Sequence, residues 1–269
     1  MKYVKPPLTC EQQADLVLSR GMIADRAELI SRLRVVGYYR LSAYCHPFKQ
    51  PDNNFHAGTQ FGVVWSRYRF DRHLRLAVMD AIERVEVATR SVLITELAMV
   101  RGAFAHLDPQ SFPSDRDGKH AKLANDRRDA AAKSREVFVD HFKARYDEFP
   151  NLPIWAAAET MSFGTLLTMY RISSREARNT TARSLGQPEP VFASWLHTMN
   201  YVRNICAHHA RLWNRELAIK PMIPHDRRWH GEPPVGNNRV FAVLTLLHQL
   251  LLKAAPGTGR SADDAGHPG

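Results

Sequence analysis

A single long amphipathic run, from Thr59 to about Val100, constrains the fold of this chain more than any other stretch. Apolar side chains recur along it three or four residues apart, which is the spacing of one face of an α-helix. Thr59 is suited to cap its start, and the run is long enough to allow a kink near Phe70–Asp71. The apolar positions are Phe61, Val64, Trp65, Tyr68, Ile82, Val85, Thr89, Val92 and Leu93.

Helix signals recur on both sides of this run, whereas strand signals are nearly absent. Two N-terminal capping patterns, starting at Thr9 and at Asp25, predict a first helix over 10–20 and a second that ends at Gly37. The predicted fold class is therefore all-α. The other helices are predicted over residues 37–47, 119–147, 154–172, 174–186, 191–213 and 239–254.

Residues 1–254 are predicted to form a single helical domain, because no repeat or linker divides them. Within it, residues 102–153 are interpreted as an insertion between core helices. The apolar stripe of its charged helix appears only late, so the first part of that helix is expected to project into solvent or lie on a partner. The last helix is apolar on most sides and is expected to be buried. Residues 255–269 are predicted to be a disordered tail.

The charge of the chain favours a polyanionic partner, and nucleic acid is the commonest one. Lys and Arg total 37 against 27 Asp and Glu, which gives a formal net charge of +10. A membrane is disfavoured as a partner, because no apolar run approaches the roughly 20 residues needed to cross a bilayer. The N-terminus lacks the apolar core of a signal peptide, and Cys10, Cys45 and Cys206 form no CxxC pair. Both features fit a cytoplasmic protein without disulfides or structural zinc.

The strongest concentration of chemically useful groups lies in residues 195–215, WLHTMNYVRNICAHHARLWNR. On an ideal helix Arg203 lies at the edge of the apolar stripe and His208 faces away, about 140° from Arg203. The two side chains cannot meet on one straight face. Either the helix bends or ends near Ala207, or a second copy of the chain completes the site, which predicts a dimer.

These groups suit RNA cleavage without a metal or any other cofactor. Histidine can take the proton of a 2′-hydroxyl, and the arginine guanidinium can stabilise charge on the phosphorane. Asn204 can orient the imidazole or bind phosphate. Metal binding by Cys206, His208 and His209 is disfavoured, because adjacent histidines on a helix point apart and no further ligand is nearby. Polar decoration of a packing helix remains the alternative.

A series of segments, in order over residues 3–217, resembles the Abi-like family of abortive-infection proteins of the AbiD/AbiF type. That family is similar to a branch of the HEPN superfamily, which consists of all-helical proteins that often dimerise. The segments that carry the resemblance are KPPLT at 5–9, GYYRLSAY at 37–44, YRFDRHLR at 68–75, IERVEVATRS at 82–91, HLDPQSF at 106–112, PIWAAAETMSFGTL at 153–166 and SWLHTMNYVRNICAHHARLWNR at 194–215.

The resemblance implies a HEPN-like helical bundle with an N-terminal helical extension and an inserted helix. It also implies an antiphage endoribonuclease, restrained by a protein antitoxin or a structured non-coding RNA. Arg203, Asn204 and His208 match the family's catalytic motif, and His209 fits its looser spacing, so the choice of histidine stays open. Glu159, in a setting where a carboxylate needs an arginine partner, resembles the acidic residue that supports the motif arginine. Nearby arginines are expected to contact RNA: Arg211, Arg215, Arg227 and Arg228.

Two other functions fit the sequence. A non-catalytic module could hold a small RNA on the same basic surface. A protein-interaction scaffold could dock a partner through the apolar C-terminal helix.

Overall fold

The computed structural model describes residues 2, 4, 6–226, 229–231 and 234–255, and this part of the chain contains eleven α-helices. Extended structure in the same residues is limited to isolated bridges. The predicted all-α class is confirmed. The helices are α1 Cys10–Ser19, α2 Arg26–Val36, α3 Tyr38–Cys45, α4 Phe61–Arg101, α5 Lys119–Lys133, α6 Val137–Arg145, α7 Ile154–Glu159, α8 Phe163–Ile172, α9 Arg175–Ser184, α10 Glu189–Ala207 and α11 Val240–Ala254.

The N-terminal helices begin where the capping patterns predict. The Thr9 hydroxyl accepts a hydrogen bond from the Gln12 N–H, and the Gln12 side chain accepts one from the Thr9 N–H. The Asp25 carboxylate accepts one from the Glu28 N–H at 2.7 Å. These bonds satisfy N–H groups that have no partner inside the helix, so local sequence alone defines the helix starts.

The long amphipathic run forms one helix, α4, of 41 residues. It continues through Phe70 and Asp71 without a break in helical backbone. Asp71 and Arg75 lie on its buried side, and they form an ion pair one turn apart. Each charge is thereby compensated within the helix, so the polar residues do not interrupt it.

Two predicted helices are each divided in the structure. The helix predicted over 119–147 is split into α5 and α6 by residues 134–136, where the Ser134 hydroxyl accepts from the Glu136 N–H. The helix predicted over 154–172 is split into α7 and α8, because Ser162 caps α8 by accepting from the Thr165 N–H. Serine side chains compete with the helix for backbone partners, and apolar periodicity alone does not reveal that competition.

The predictions about the surroundings of two helices were wrong. The first part of the 119–147 segment does not project into solvent, because α5 packs against α8 and buries Leu123, Ala124 and Ala131. The last helix, α11, is buried on one side only. Its inner face carries Ala242, Val243, Leu246, Leu247 and Leu250, whereas Phe241, Leu244 and Leu252 are exposed.

The described residues group into two compact units. Residues 1–76 with 211–213 form the first, and residues 77–210 with those from 214 onward form the second, so α4 contributes to both. The first unit has its core around Leu29, Leu33 and Tyr44. The single domain over 1–254 and the insertion over 102–153 stay predictions. The predicted tail, apart from Ala255, lies outside the described residues.

The core of the second unit is built around large side chains that are almost fully buried. They include Trp195, Tyr170, Phe163, Phe192 and Leu166. Because Trp195 and Phe192 lie on α10, this core fixes the helix that carries the candidate functional residues. No helix in the described ranges combines the length and the apolar content that a membrane crossing requires.

Candidate functional site

The candidate residues lie at the C-terminal end of α10, and the backbone there forms a closed helix cap. The His209 N–H donates to the Cys206 carbonyl at 3.0 Å, and the Ala210 N–H donates to the Ile205 carbonyl at 2.9 Å. This pair of bonds is the Schellman arrangement, which satisfies carbonyl groups left over at a helix end. The helix predicted to continue to residue 213 therefore ends at Ala207.

His209 occupies the position in this cap that glycine usually holds. Its φ is +55°, in the left-handed region. For a residue with a Cβ, this conformation costs roughly 1–2 kcal/mol. Such strained residues persist where the surrounding structure imposes them, and they cluster at functional sites. Backbone preference therefore does not explain a histidine here.

The helix end confirms one of the geometric alternatives drawn from the sequence. His208 is the residue that caps α10, and His209 follows it, so neither lies on the helical face defined by Arg203. The angle between Arg203 and His208 that was calculated for a continuous helix therefore does not apply to the structure. Asn204, His208 and His209 are exposed and Arg203 is half-buried, so a large ligand can reach all four.

The half-buried side of the site contains an acidic residue that sequence reasoning did not identify. Nη2 of Arg90 lies 2.7 Å from Oε1 of Glu86, and the two side chains are only 15% and 16% exposed. Burial raises the pKa of Glu86, while the positive charges of Arg90 and Arg203 oppose that rise. Glu86 thus lies within electrostatic range of two guanidinium groups, one of which belongs to the motif.

Arg90 is held on more than one side. The same Nη2 atom also donates to the Met161 carbonyl at 3.1 Å, in the turn between α7 and α8. Its Nε is buried and has no hydrogen-bond partner among the described residues. The charges that act on Glu86 are therefore those of two guanidinium groups and of a second carboxylate, Glu83.

A signal for Glu86 and Arg90 was present in the sequence. They are four residues apart and each directly follows a residue of the apolar stripe, Val85 and Thr89, both of which are fully buried. An acid and a base four residues apart are neighbours on the surface of a helix. Where they lie beside a buried stripe, packing of that stripe also shields the pair from water. Many acid–base pairs with this spacing lie on exposed helix faces, and the apolar periodicity of α4 does not show that this pair is part-buried.

Glu159 lies in a different setting from the one expected. It is the last residue of α7 and is exposed, whereas its neighbours Ala157 and Ala158 are buried. It lines a surface groove that also contains Lys133 and Glu136. Glu159 follows a run of alanines in the sequence, but a residue at the end of a short helix can turn to solvent. Its support of the motif arginine stays a prediction.

The arginines expected to contact RNA are not equivalent. Nη1 of Arg211 donates to the Ala43 carbonyl at 2.7 Å, so part of this guanidinium already holds the backbone of α3. Arg215 is half-buried. Arg227 and Arg228 lie outside the described residues. RNA contact by these four side chains stays a prediction.

The possible metal ligands at the helix end do not share one environment. Cys206 is 4% exposed, whereas His208 and His209 face solvent. Across the described ranges, no group of three or more His, Cys, Asp or Glu side chains is arranged to hold a metal ion.

Fold and site together define an all-helical protein that presents arginine, asparagine and two histidines at the exposed end of a buried helix. A family model described as Abi-like protein matches residues 31–214, more than half of the chain, and the match includes the end of α10. The chain belongs to the Abi-like protein family. A search of curated proteins and a search of solved structures each found no match.

Proposed function

We propose that this protein is a metal-independent endoribonuclease of the HEPN type that acts in abortive-infection defence against phage. The observation that carries the proposal is the grouping of Arg203, Asn204, His208 and His209 on the last turn and cap of α10. A permanent cation, an amide and two exposed imidazoles are the groups that RNA cleavage without a metal requires. Membership of the Abi-like family supports the defence role.

The proposed reaction is an internal phosphoryl transfer. A neutral imidazole of His208 or His209 takes the proton from a 2′-hydroxyl, and the 2′-oxygen attacks the adjacent phosphorus. The bond from phosphorus to the 5′-oxygen breaks, and a protonated imidazole returns a proton to that oxygen. Arg203 stabilises the charge on the phosphorane, and Asn204 orients the phosphate or the imidazole. The products carry a 2′,3′-cyclic phosphate and a 5′-hydroxyl.

Glu86 and Arg90 extend this assignment. We assign to Glu86 the role of holding the guanidinium of Arg203 in place, since the two charges interact beside a part-buried ion pair. A fixed guanidinium loses less freedom when it binds phosphate, so it stabilises the transition state more effectively.

The proposed assembly is a homodimer that binds RNA. In a two-fold dimer, the α10 ends of both copies would line one cleft and supply two sets of histidines. The net charge of +10 supports RNA as the ligand. A structured non-coding RNA or a protein antitoxin is the proposed restraint on the activity.

The central experiment compares purified wild-type protein with Arg203→Ala, His208→Ala and His209→Ala. A labelled RNA is incubated with excess EDTA, and 5′-hydroxyl ends are detected by kinase labelling. We expect Arg203→Ala and one histidine variant to lose at least 100-fold in rate, about the contribution of general base or electrostatic catalysis. Two controls, Arg175→Ala and His141→Ala, change exposed residues elsewhere in the second unit.

Three outcomes would contradict the assignment. Unchanged cleavage in all three site variants would exclude these residues as the catalytic group. Cleavage of the all-deoxy version of the substrate would exclude attack by a 2′-hydroxyl. Loss of wild-type activity in EDTA would exclude the metal-independent mechanism.

The basic charge also favours a second candidate, a module that binds RNA without cleaving it. The same preparations decide between the two functions. If wild type and His208→Ala bind RNA equally, with an affinity that falls as salt rises, and neither cleaves it, the binding module is supported. Absence of any salt-dependent RNA affinity would instead favour a scaffold, for which the exposed Phe241, Leu244 and Leu252 on α11 supply an apolar surface.

A further inference from the structure

A second concave site lies at the opposite end of α10 from the histidines. It is a cavity of about 620 Å³, within the range of small-molecule sites in proteins. Three parts of the second unit form it: residues 186–191 at the start of α10, residues 222–226 with Trp229, and Gln249 on α11. Given about 1.5 Å of rise per residue, the 19-residue α10 separates the two sites by roughly 28 Å.

Hydrogen bonds to α10 hold one wall of this cavity in place. The Met222 N–H donates to the Ser194 hydroxyl at 2.8 Å, and Nε1 of Trp195 donates to the Met222 carbonyl at 2.8 Å. The ring of Trp229 lies 5.4 Å from the ring of Trp195, and Trp229 is only 3% exposed. Because these contacts are made within the protein, the cavity is formed before any ligand arrives.

The walls combine an apolar interior with amide groups, the imidazole of His225 and the carboxylate of Asp226. Val191, Ile223 and Trp229 contribute apolar and aromatic surface, together with three prolines. Gln187 and Gln249 each bring a carbonyl acceptor and an NH₂ donor to the lining. A planar heteroaromatic ring whose edge carries both donors and acceptors matches this combination, and proteins recognise unstacked nucleobases in this way.

A cation lies beside the cavity. A Cβ built on Gly186 would lie 3.5 Å from Cγ and 3.6 Å from Cε of Lys253, so the lysine side chain runs along this lining residue. The φ of Gly186 is +72°, which favours glycine at this turn. The aliphatic part of the lysine therefore packs against the cavity wall, while the lining itself contributes the carboxylate of Asp226.

We propose that this cavity binds a nucleobase, supplied either by a free nucleotide or by an unpaired base of an RNA strand. The interior provides apolar contact, and the two glutamines read the base edge. The inference goes beyond RNA cleavage and does not depend on it, since binding at this end of α10 requires none of the motif residues.

The test uses the purified full chain and measures binding by calorimetry and by quenching of tryptophan fluorescence. The probes are the four ribonucleoside monophosphates and a single-stranded 10-mer oligoribonucleotide. Two variants alter the cavity: Gln249→Ala removes one amide, and Ile223→Trp fills the space from a half-buried loop position. Gln60→Ala, an exposed glutamine in the first unit, is the matched control.

We expect Gln249→Ala to weaken binding about fivefold, the effect of one lost hydrogen bond, and Ile223→Trp to abolish cavity binding. Gln60→Ala should bind like wild type. Cavity-dependent binding of a monophosphate identifies a free nucleotide as the source, and cavity-dependent binding of the oligomer alone identifies an RNA base. Either result supports the proposal.

The proposal is overturned if neither probe binds wild type, or if both cavity variants bind as wild type does. Circular dichroism and thermal melting establish that each variant is folded. If Ile223→Trp does not fold, Gln187→Ala takes its place, with the same fivefold loss expected.

These binding results are independent of the cleavage assay. The catalytically inactive Arg203→Ala protein should still bind the cavity probes. Failure of the proposed nuclease function and failure of this inference are therefore distinguishable.

Discussion

The backbone N–H of Trp213 donates a hydrogen bond of 2.6 Å to Oδ1 of Asp71, although 142 positions separate the two residues. The same carboxylate, which is fully buried, also accepts from the Leu212 N–H and from the Tyr44 hydroxyl at 2.5 Å and pairs with Arg75. Burial and the Asp71 charge raise the pKa of Tyr44 to about 12, so its hydroxyl remains a donor. One carboxylate thus organises three separate segments of the first unit.

Replacement of Asp71 by asparagine should strongly destabilise the protein. The variant leaves Arg75 buried without its counter-charge, and breaking such a pair costs about 3–5 kcal/mol. Urea denaturation followed by circular dichroism measures the loss. The control is Asp80→Asn, which removes an exposed i, i+4 pair with Arg84 and should cost no more than about 0.5 kcal/mol. Equal losses in the two variants would show that Asp71 is not a structural centre.

Glycine and alanine at position 209 should differ in stability. Both variants remove the imidazole, but glycine adopts φ near +55° without the Cβ penalty that alanine keeps. His209→Gly should therefore be more stable than His209→Ala by about 1 kcal/mol in urea denaturation. Both should show the same cleavage rate, because neither has an imidazole. If alanine is as stable as glycine, the cap does not impose the left-handed backbone.

Two carboxylates compete for the role of supporting Arg203. We expect Glu86→Gln to lower the cleavage rate about tenfold or more, because it removes the negative charge that acts on the guanidinium. Glu159→Gln should leave the rate within about twofold, since this side chain faces solvent. Initial rates on one RNA substrate at saturating concentration measure both. The reverse order of effects would restore Glu159 as the supporting acid.

The buried His106 should make stability depend on acid pH. Burial is the main cause that lowers its pKa from 6.5 to about 4, and its Nδ1 has no partner among the described residues. The unfolded chain therefore takes up a proton at higher pH than the folded chain. The contribution of the neutral His106 to the free energy of unfolding is fully present above about pH 6.5 and is lost as pH falls toward about 4. At about 1.4 kcal/mol per pKa unit, the loss is on the order of 3 kcal/mol.

The variant His106→Gln tests this dependence. Its urea midpoint should change less between pH 6.5 and 4 than that of the wild type, because no proton is taken up at this position. The control His141→Gln changes an exposed histidine and should keep the slope of the wild type. A wild-type slope in His106→Gln would assign the acid sensitivity to other groups.

The sequence by itself determined the elements whose causes are local. The helix starts at Thr9 and Asp25 follow from side-chain oxygens placed three residues before an N–H group, and α4 follows from apolar spacing. The grouping of Arg203, Asn204, His208 and His209 could also be read from the chain, because all four lie within a stretch of seven residues. The breaks at Ser134 and Ser162 were missed, because apolar periodicity does not show which hydroxyl captures a backbone group.

Only the tertiary structure decided which charged residues are buried and what they face. Glu86 and Glu159 are both carboxylates beside apolar residues on helices, yet one is shielded next to Arg90 and the other is exposed. Asp71 resembled any other acid on a charged helix until a backbone segment 141 residues later supplied its donors. The free energy of a charged group depends on desolvation and on partners brought close by folding, and neither is encoded in its neighbours along the chain.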